Sequence, residues 1–147
     1  MASDLTGLEG IVRADEGGWV KLGTGLEGNE IKVLRLSEET GAYSLLIRAP
    51  KGTVNQAHIH SGPADFYIIS GSIDYRVGHA KAGDWMYEPA GSFHEATSHP
   101  EDTLYLANVY GPLIFQKEDG TVDYVQDWTT IKALRDGADP EEARKKG

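Results

Sequence analysis

Short runs of aromatic, β-branched and aliphatic residues, broken about every ten residues by glycine, proline or serine clusters, set the pattern of this chain. Glu30–Leu36 and Ala42–Arg48 are the first clear strand-like runs, joined by Ser37-Glu38-Glu39-Thr40-Gly41, a polar, glycine-ended connector suited to a hairpin. Asp65–Ser70, Ile73–Val77, Asp84–Glu88 and Thr103–Tyr110 follow. Pro112–Gln116 and Thr121–Val125 flank Asp119-Gly120, a pair that tolerates positive φ and so predicts a second hairpin. In Thr103–Tyr110, alternation puts Tyr105, Ala107 and Val109 on one face and Asn108 on the other. One helix is predicted near the end: Asp127 can cap it, Ile131 and Leu134 share a face, and Gly137 stops it. Ile11–Arg13 and Trp19–Leu22 read as short edge strands.

Strand-like runs at this spacing predict an all-β sandwich or barrel. The expected organisation is an N-terminal edge segment (1–29), a barrel (30–126), a short C-terminal helix (127–137) and a frayed polar tail (138–147). The 147 residues suit one domain, and the 18 glycines and 6 prolines suit frequent turns. With no cysteine, disulfides, thiolate zinc sites, Fe–S clusters and cysteine nucleophiles are excluded. A net charge of −9 argues against binding to nucleic acid or an anionic membrane. No run is long and apolar enough to span a membrane, and the N-terminus lacks a signal-peptide pattern, so a cytoplasmic protein is expected. Gly23-Thr24-Gly25-Leu26-Glu27-Gly28 spells G-x-G-x-x-G. A strand-like run follows it where a dinucleotide site needs a helix, so it reads as a glycine-rich turn.

Candidate chemistry centres on histidine. His58 and His60, separated by Ile59, project to one face if they lie on a strand, a common way to present two nitrogens to one metal. His94, just after Pro89-Ala90-Gly91, is the candidate third ligand. His79 and His99 stand outside this pattern; His99, beside Pro100-Glu101-Asp102, is expected at the surface. Glu88 and Glu95 read either as bases near a metal or as surface acids.

Gly52, His58, His60 and Gly71, with Asp65 near a glutamate position, follow the first cupin motif, G-x5-H-x-H-x3,4-E-x6-G. Gly83, Pro89, Gly91 and His94, with Ser98 in place of asparagine, follow the second, G-x5-P-x-G-x2-H-x3-N. The chain thus resembles the cupin superfamily, which implies a single-domain jelly-roll β-barrel with a metal inside. His58–Pro63 and Tyr110–Phe115 resemble the acetylacetone (β-diketone) dioxygenases, and Tyr87–His94 resembles the 2,4'-dihydroxyacetophenone dioxygenases. Both groups are similar to cupin domains of the ChrR type.

The resemblance implies a mononuclear Fe(II) held by His58, His60 and His94, cleaving a carbon–carbon bond beside a carbonyl of a small substrate with O2. Neutral imidazoles suit Zn, Cu and Ni as well as Fe, and the same site holding Zn(II), Ni(II) or Mn(II) leaves a non-oxidative isomerase, lyase or hydrolase as the alternative. A ChrR-like metal or ligand sensor is a third reading; it implies an adjoining anti-sigma helical segment, which this sequence does not contain. Asp65, a methylene shorter than glutamate, is expected to orient a ligand histidine rather than touch the metal, or to make only a local hydrogen bond. Arg76 matches an arginine of the diketone enzymes and is the candidate anion clamp; the alternative is a solvated arginine paired with Asp74 or another acid. Asn55, Phe66, Tyr105 and Val109 fall in pocket-lining stretches by the same comparison, and each competes with plain core packing. The resemblance also implies a homo-oligomer, a dimer or tetramer.

Overall fold

The computed structural model describes residues 10–22 and 28–146, with the backbone alone at positions 94, 145 and 146. Most of the glycine-rich stretch 23–28 therefore lies outside the described residues. In chain order the strands are β1 (Trp19–Lys21), β2 (Glu30–Leu36), β3 (Tyr43–Ala49), β4 (Val54–Asn55), β5 (His58–His60), β6 (Ala64–Ser70), β7 (Ser72–Tyr75) and β8 (Gly78–Lys81). They continue with β9 (Trp85–Glu88), β10 (Phe93–His94), β11 (Thr97–Ser98), β12 (Thr103–Val109), β13 (Leu113–Gln116) and β14 (Val122–Gln126). Helices α1 (Trp128–Arg135) and α2 (Pro140–Ala143) and the short strand β15 (Lys145–Lys146) end the chain.

A six-stranded sheet, ordered β1-β2-β3-β12-β6-β9, forms one wall. Two smaller sheets, β10-β5-β13-β14-β15 and β4-β11-β7-β8, form the other. This is the jelly-roll arrangement: most sheet neighbours are distant in sequence, as in the pairing of β3 with β12. The burial of β12 alternates strictly, with Tyr105, Ala107 and Val109 inside, as expected. Ile31, Leu45, Ile68, Ile73, Leu113 and Phe115 join them in one apolar core. Each such side chain contributes about 1.5–3 kcal/mol on leaving water.

The hairpin at Asp119-Gly120 forms, with the Gly120 N–H donating to the Lys117 carbonyl at 2.9 Å. Of the two turn residues only Gly120 takes positive φ (+86°). Asp127 caps α1 by accepting from the Thr129 and Thr130 amides, while Thr130 Oγ1 accepts from the Asp127 N–H. Ile131 and Leu134 are buried beneath the helix. Ile11–Arg13, expected as an edge strand, is not in a strand. The segment is tied down by Lys32, whose Nζ donates to the Arg13 carbonyl at 2.5 Å. The frayed tail also needs correction: Asp139 caps α2, with Pro140 at its first turn. The Arg144 guanidinium then lies 4.2 Å over the Tyr124 ring, drawing the tail onto β14. No helix among the described residues is long and apolar enough to cross a membrane.

Candidate metal centre

Two hairpin-like junctions build the site. The first is the turn Pro89–Ser92, closed by the Ser92 N–H donating to the Pro89 carbonyl at 3.2 Å. Gly91 sits at φ +80°, a conformation that strains any residue with a Cβ. The turn grips the backbone of His60 from both sides. Gly91 N–H donates to the His60 carbonyl at 2.7 Å, and His60 N–H donates to the Ser92 carbonyl at 3.0 Å. The chain then continues antiparallel to β5, so that His94 stands directly opposite His58. The proline–glycine spacing of the second motif is thus the spacing that delivers His94 to β5.

The second junction joins β5 to β13. Gly62 and Gly111 pack back to back; a Cβ on Gly111 would lie 2.8 Å from the Gly62 nitrogen, and one on Gly62 would lie 2.7 Å from the Tyr110 carbonyl oxygen. Ser61 donates to the Pro112 carbonyl through both its amide (3.1 Å) and its hydroxyl (2.6 Å). The Ser61-Gly62-Pro63 and Tyr110-Gly111-Pro112 stretches therefore serve to hold the histidine strand.

His58 and His60 project to one face of β5, and their Nε2 atoms lie 3.2 Å apart. Two nitrogens bound to one ion at about 2.1 Å each and at right angles would lie about 3 Å apart. His58 Nδ1 donates to the Gln56 carbonyl at 2.9 Å. A carbonyl only accepts, so Nδ1 holds the proton and Nε2 presents its lone pair. His60 is 1% exposed. The Phe115 ring lies 5.2 Å from His58, and the Phe66 ring meets His60 in a T-shaped contact at 6.5 Å. The donor set and its spacing fit a divalent ion that takes imidazole nitrogen.

The two histidines open on a cavity of about 80 Å³ between the sheets. Asn55, Phe66, Tyr105 and Val109 all line it. No charged side chain among the described residues lines it. An ion held there by neutral imidazoles would keep its full charge in a poorly polar space, a setting that favours an anionic chelating ligand.

Two expected site residues are elsewhere. Asp65 points away from the cavity, on the opposite face of β6 from Phe66. Its carboxylate accepts from Asn108 Nδ2 at 2.9 Å and from the Tyr110 hydroxyl at 3.1 Å. Among the described residues it bonds to no histidine, because β-strand alternation turns it outward once Phe66 faces in. Arg76 does not line the cavity either. Its guanidinium, 39% exposed, donates to the Phe93 carbonyl at 2.7 Å and lies 3.8 Å from Glu95, not against Asp74. It braces β10, the strand that carries His94.

Two residues matter more than the sequence pattern implied. Glu88 is 2% exposed, accepting from the Tyr75 hydroxyl at 3.1 Å and from Ser92 Oγ at 3.4 Å. Partial burial and the Glu88 carboxylate push the Tyr75 hydroxyl up to about 12. Glu95, by contrast, is 55% exposed. His99 is 1% exposed rather than at the surface. Its backbone is drawn inward by pairing with the Gly52–Thr53 turn, and its ring stacks on Tyr105 at 5.7 Å. Burial lowers its pKa. The polar Pro100-Glu101-Asp102 neighbourhood carried no signal of this.

Residues 9–114 match the family model described as the ChrR cupin-like domain. The chain is 28% identical over 97 residues to an acetylacetone-cleaving enzyme of Acinetobacter johnsonii; the match covers 62% of this chain and spans only 63% of that relative's length. The crystal structure of an acetylacetone dioxygenase from Acinetobacter johnsonii superposes with a TM-score of 0.82 at 23% identity, covering 89% of this chain and 93% of that one. The anti-sigma factor ChrR, in its complex with SigE of Rhodobacter sphaeroides, superposes with a TM-score of 0.56 at 22% identity, covering 66% and 51%. These two likenesses show a shared fold. With its motifs, its two-walled jelly roll and a family match over most of its length, this chain belongs to the cupins, in the ChrR cupin-like domain family.

Proposed function

We propose that this protein is an Fe(II)-dependent dioxygenase that cleaves a carbon–carbon bond of a small β-diketone or hydroxyketone, with His58, His60 and His94 as the metal ligands. The observation that carries the reading is the pair of Nε2 atoms 3.2 Å apart at an uncharged cavity, with His94 in direct register beside His58. The 28% identity to an acetylacetone-cleaving enzyme supports the reaction class.

When bound, Fe(II) would supply open coordination positions and one-electron chemistry toward O2. The chain's own residues do the rest. The Gln56 carbonyl holds His58 in the tautomer that offers Nε2. Phe66, Val109 and Phe115 line the cavity and keep bulk water from it. With no carboxylate among the described lining residues, the cavity suits a substrate that arrives as an enolate and supplies the negative charge itself. The resemblance to small cupins implies a homo-oligomer, a dimer or tetramer, which sedimentation reads directly.

The test is a metal swap. Protein reconstituted with Fe(II) should consume O2 only in the presence of a β-diketone. Protein carrying Zn(II) should bind the same compound without turnover, since zinc has no redox chemistry. Equal cleavage by the Zn(II) protein without O2 would replace this reading with a non-oxidative lyase or hydrolase.

A further inference from the structure

A chain of buried hydrogen bonds runs from the small sheet to the cavity, and its direction is determined at one end. The Ser72 carbonyl accepts from Thr103 Oγ1 at 2.9 Å and from His99 Nδ1 at 3.1 Å. Because a carbonyl cannot donate, His99 carries its proton on Nδ1, and Nε2 is an acceptor. Burial, which lowers the His99 pKa, keeps the ring neutral. The Asn55 amide must therefore turn its nitrogen to His99 Nε2, at 3.0 Å, and the same nitrogen donates to Thr97 Oγ1 at 2.8 Å. Asn55 Oδ1 is then left for Asn29, whose Nδ2 donates to it at 2.8 Å.

Each amide orientation forces the next, so Asn29 ends the chain with its oxygen. Asn29 is 2% exposed, and its Oδ1 accepts no hydrogen bond among the described residues. An orphaned buried acceptor costs about 1–3 kcal/mol. Tyr105 also faces this cavity. It is 6% exposed, it stacks on His99, and its hydroxyl makes no hydrogen bond among the described residues. Asn29 and Tyr105 both line the cavity that His58 and His60 enter. Phe66, with its ring 6.5 Å from His60 and 6.3 Å from Tyr105, links the two regions.

We propose that Asn29 Oδ1 and the Tyr105 hydroxyl form a subsite for an aliphatic hydroxyl on the tail of the substrate, remote from its chelating oxygens. Asn29 Oδ1 can only accept, whereas a phenol both donates and accepts. A hydroxyl suits both groups, since it can give a proton to Asn29 Oδ1 and can accept one from a phenol. A carbonyl tail offers Asn29 nothing, and an ammonium tail would enter an uncharged cavity without a counter-ion. This proposal rests on the chelate reading above, and it narrows the substrate to a hydroxylated dicarbonyl.

The experiment compares two compounds of nearly equal shape, 6-hydroxyhexane-2,4-dione and heptane-2,4-dione, by calorimetric titration of the Zn(II)-loaded protein. The parent is expected to bind the hydroxylated dione at least ~10-fold more tightly, because the methyl analogue leaves Asn29 Oδ1 unpaired. Asn29→Leu should bring that ratio to within about 3-fold of unity, and Tyr105→Phe, which keeps the ring and its packing, should reduce it several-fold. Both diones binding the parent without preference would overturn the subsite and leave the metal chelate standing. A preference that survives both substitutions would overturn it equally. Failure of both diones to bind the metal-loaded parent would overturn the chelate reading and the subsite with it.

Discussion

Arg76 donates to the main-chain carbonyl of Phe93 at 2.7 Å, one residue before His94. Its guanidinium also lies 5.2 Å from the Tyr75 ring, which anchors it to the end of β7. An arginine that sequence pattern offered as a substrate clamp is thus a brace between two strands, and its effect on the site passes through β10.

Arg76→Ala should therefore loosen the metal more than the substrate. The expected result is a several-fold rise in the metal dissociation constant, with diketone affinity of the fully loaded protein nearly unchanged. Competition with a fluorescent chelator measures the first and calorimetry the second. The reverse pattern would restore the clamp.

His94→Ala should lose most bound metal while the protein stays folded. The core comprises Ile31, Leu45, Ile68, Phe115 and their neighbours, none of which depends on the ion. Elemental analysis alongside thermal unfolding separates the two effects. Metal retention at the parental level would remove His94 from the ligand set.

Asp65→Asn should leave metal content unchanged and cost about 1 kcal/mol or less in stability, since its bonds to Asn108 and Tyr110 lie on the outward face of β6. Urea denaturation and metal analysis on the same preparation check both halves. A drop in metal content would return Asp65 to the neighbourhood of the histidines.

Gly111→Ala places a methyl 2.8 Å from the Gly62 backbone nitrogen, and backbone on both sides leaves little room to relax. Destabilisation of about 1–3 kcal/mol is expected from the overpacking. Because β5 hangs from this junction, metal affinity should fall as well. Gly120→Ala is the control: it carries the positive-φ penalty (φ +86°) without a neighbour within 4 Å, so it should cost stability but not metal.

The buried His99 makes stability fall in mild acid. Its folded pKa lies below the ordinary value of 6.5, so the unfolded chain takes up the proton first. The stabilisation is whole above pH 6.5 and is lost progressively as pH falls toward the depressed folded value. His99→Gln should flatten that part of the stability profile. An unchanged slope between pH 7 and 5 would show that His99 titrates normally.

Sequence alone determined the strands whose registers are local. Glu30–Leu36 is β2 to the residue, and the Asp119-Gly120 turn and the Asp127-capped helix follow from chemistry within a few positions of each. It also determined the His58/His60 pair, because period two on a strand needs no partner to be read. Only the tertiary structure decided which acids and bases reach the cavity. Asp65 and Phe66 are adjacent in sequence and equally plausible as site residues, yet the sheet turns one out and the other in. Arg76, expected at the pocket, lies at its rim, and His99, expected at the surface, is buried, for a similar reason. The two-residue strands β4, β10 and β11 are too short to show a pattern, and they exist because distant partners supply their hydrogen bonds. Their pairings carry His99 inward, set His94 opposite His58, and leave Arg76 at the rim. Burial and register are properties of pairs of segments far apart in the chain, so no local window of the sequence contains them.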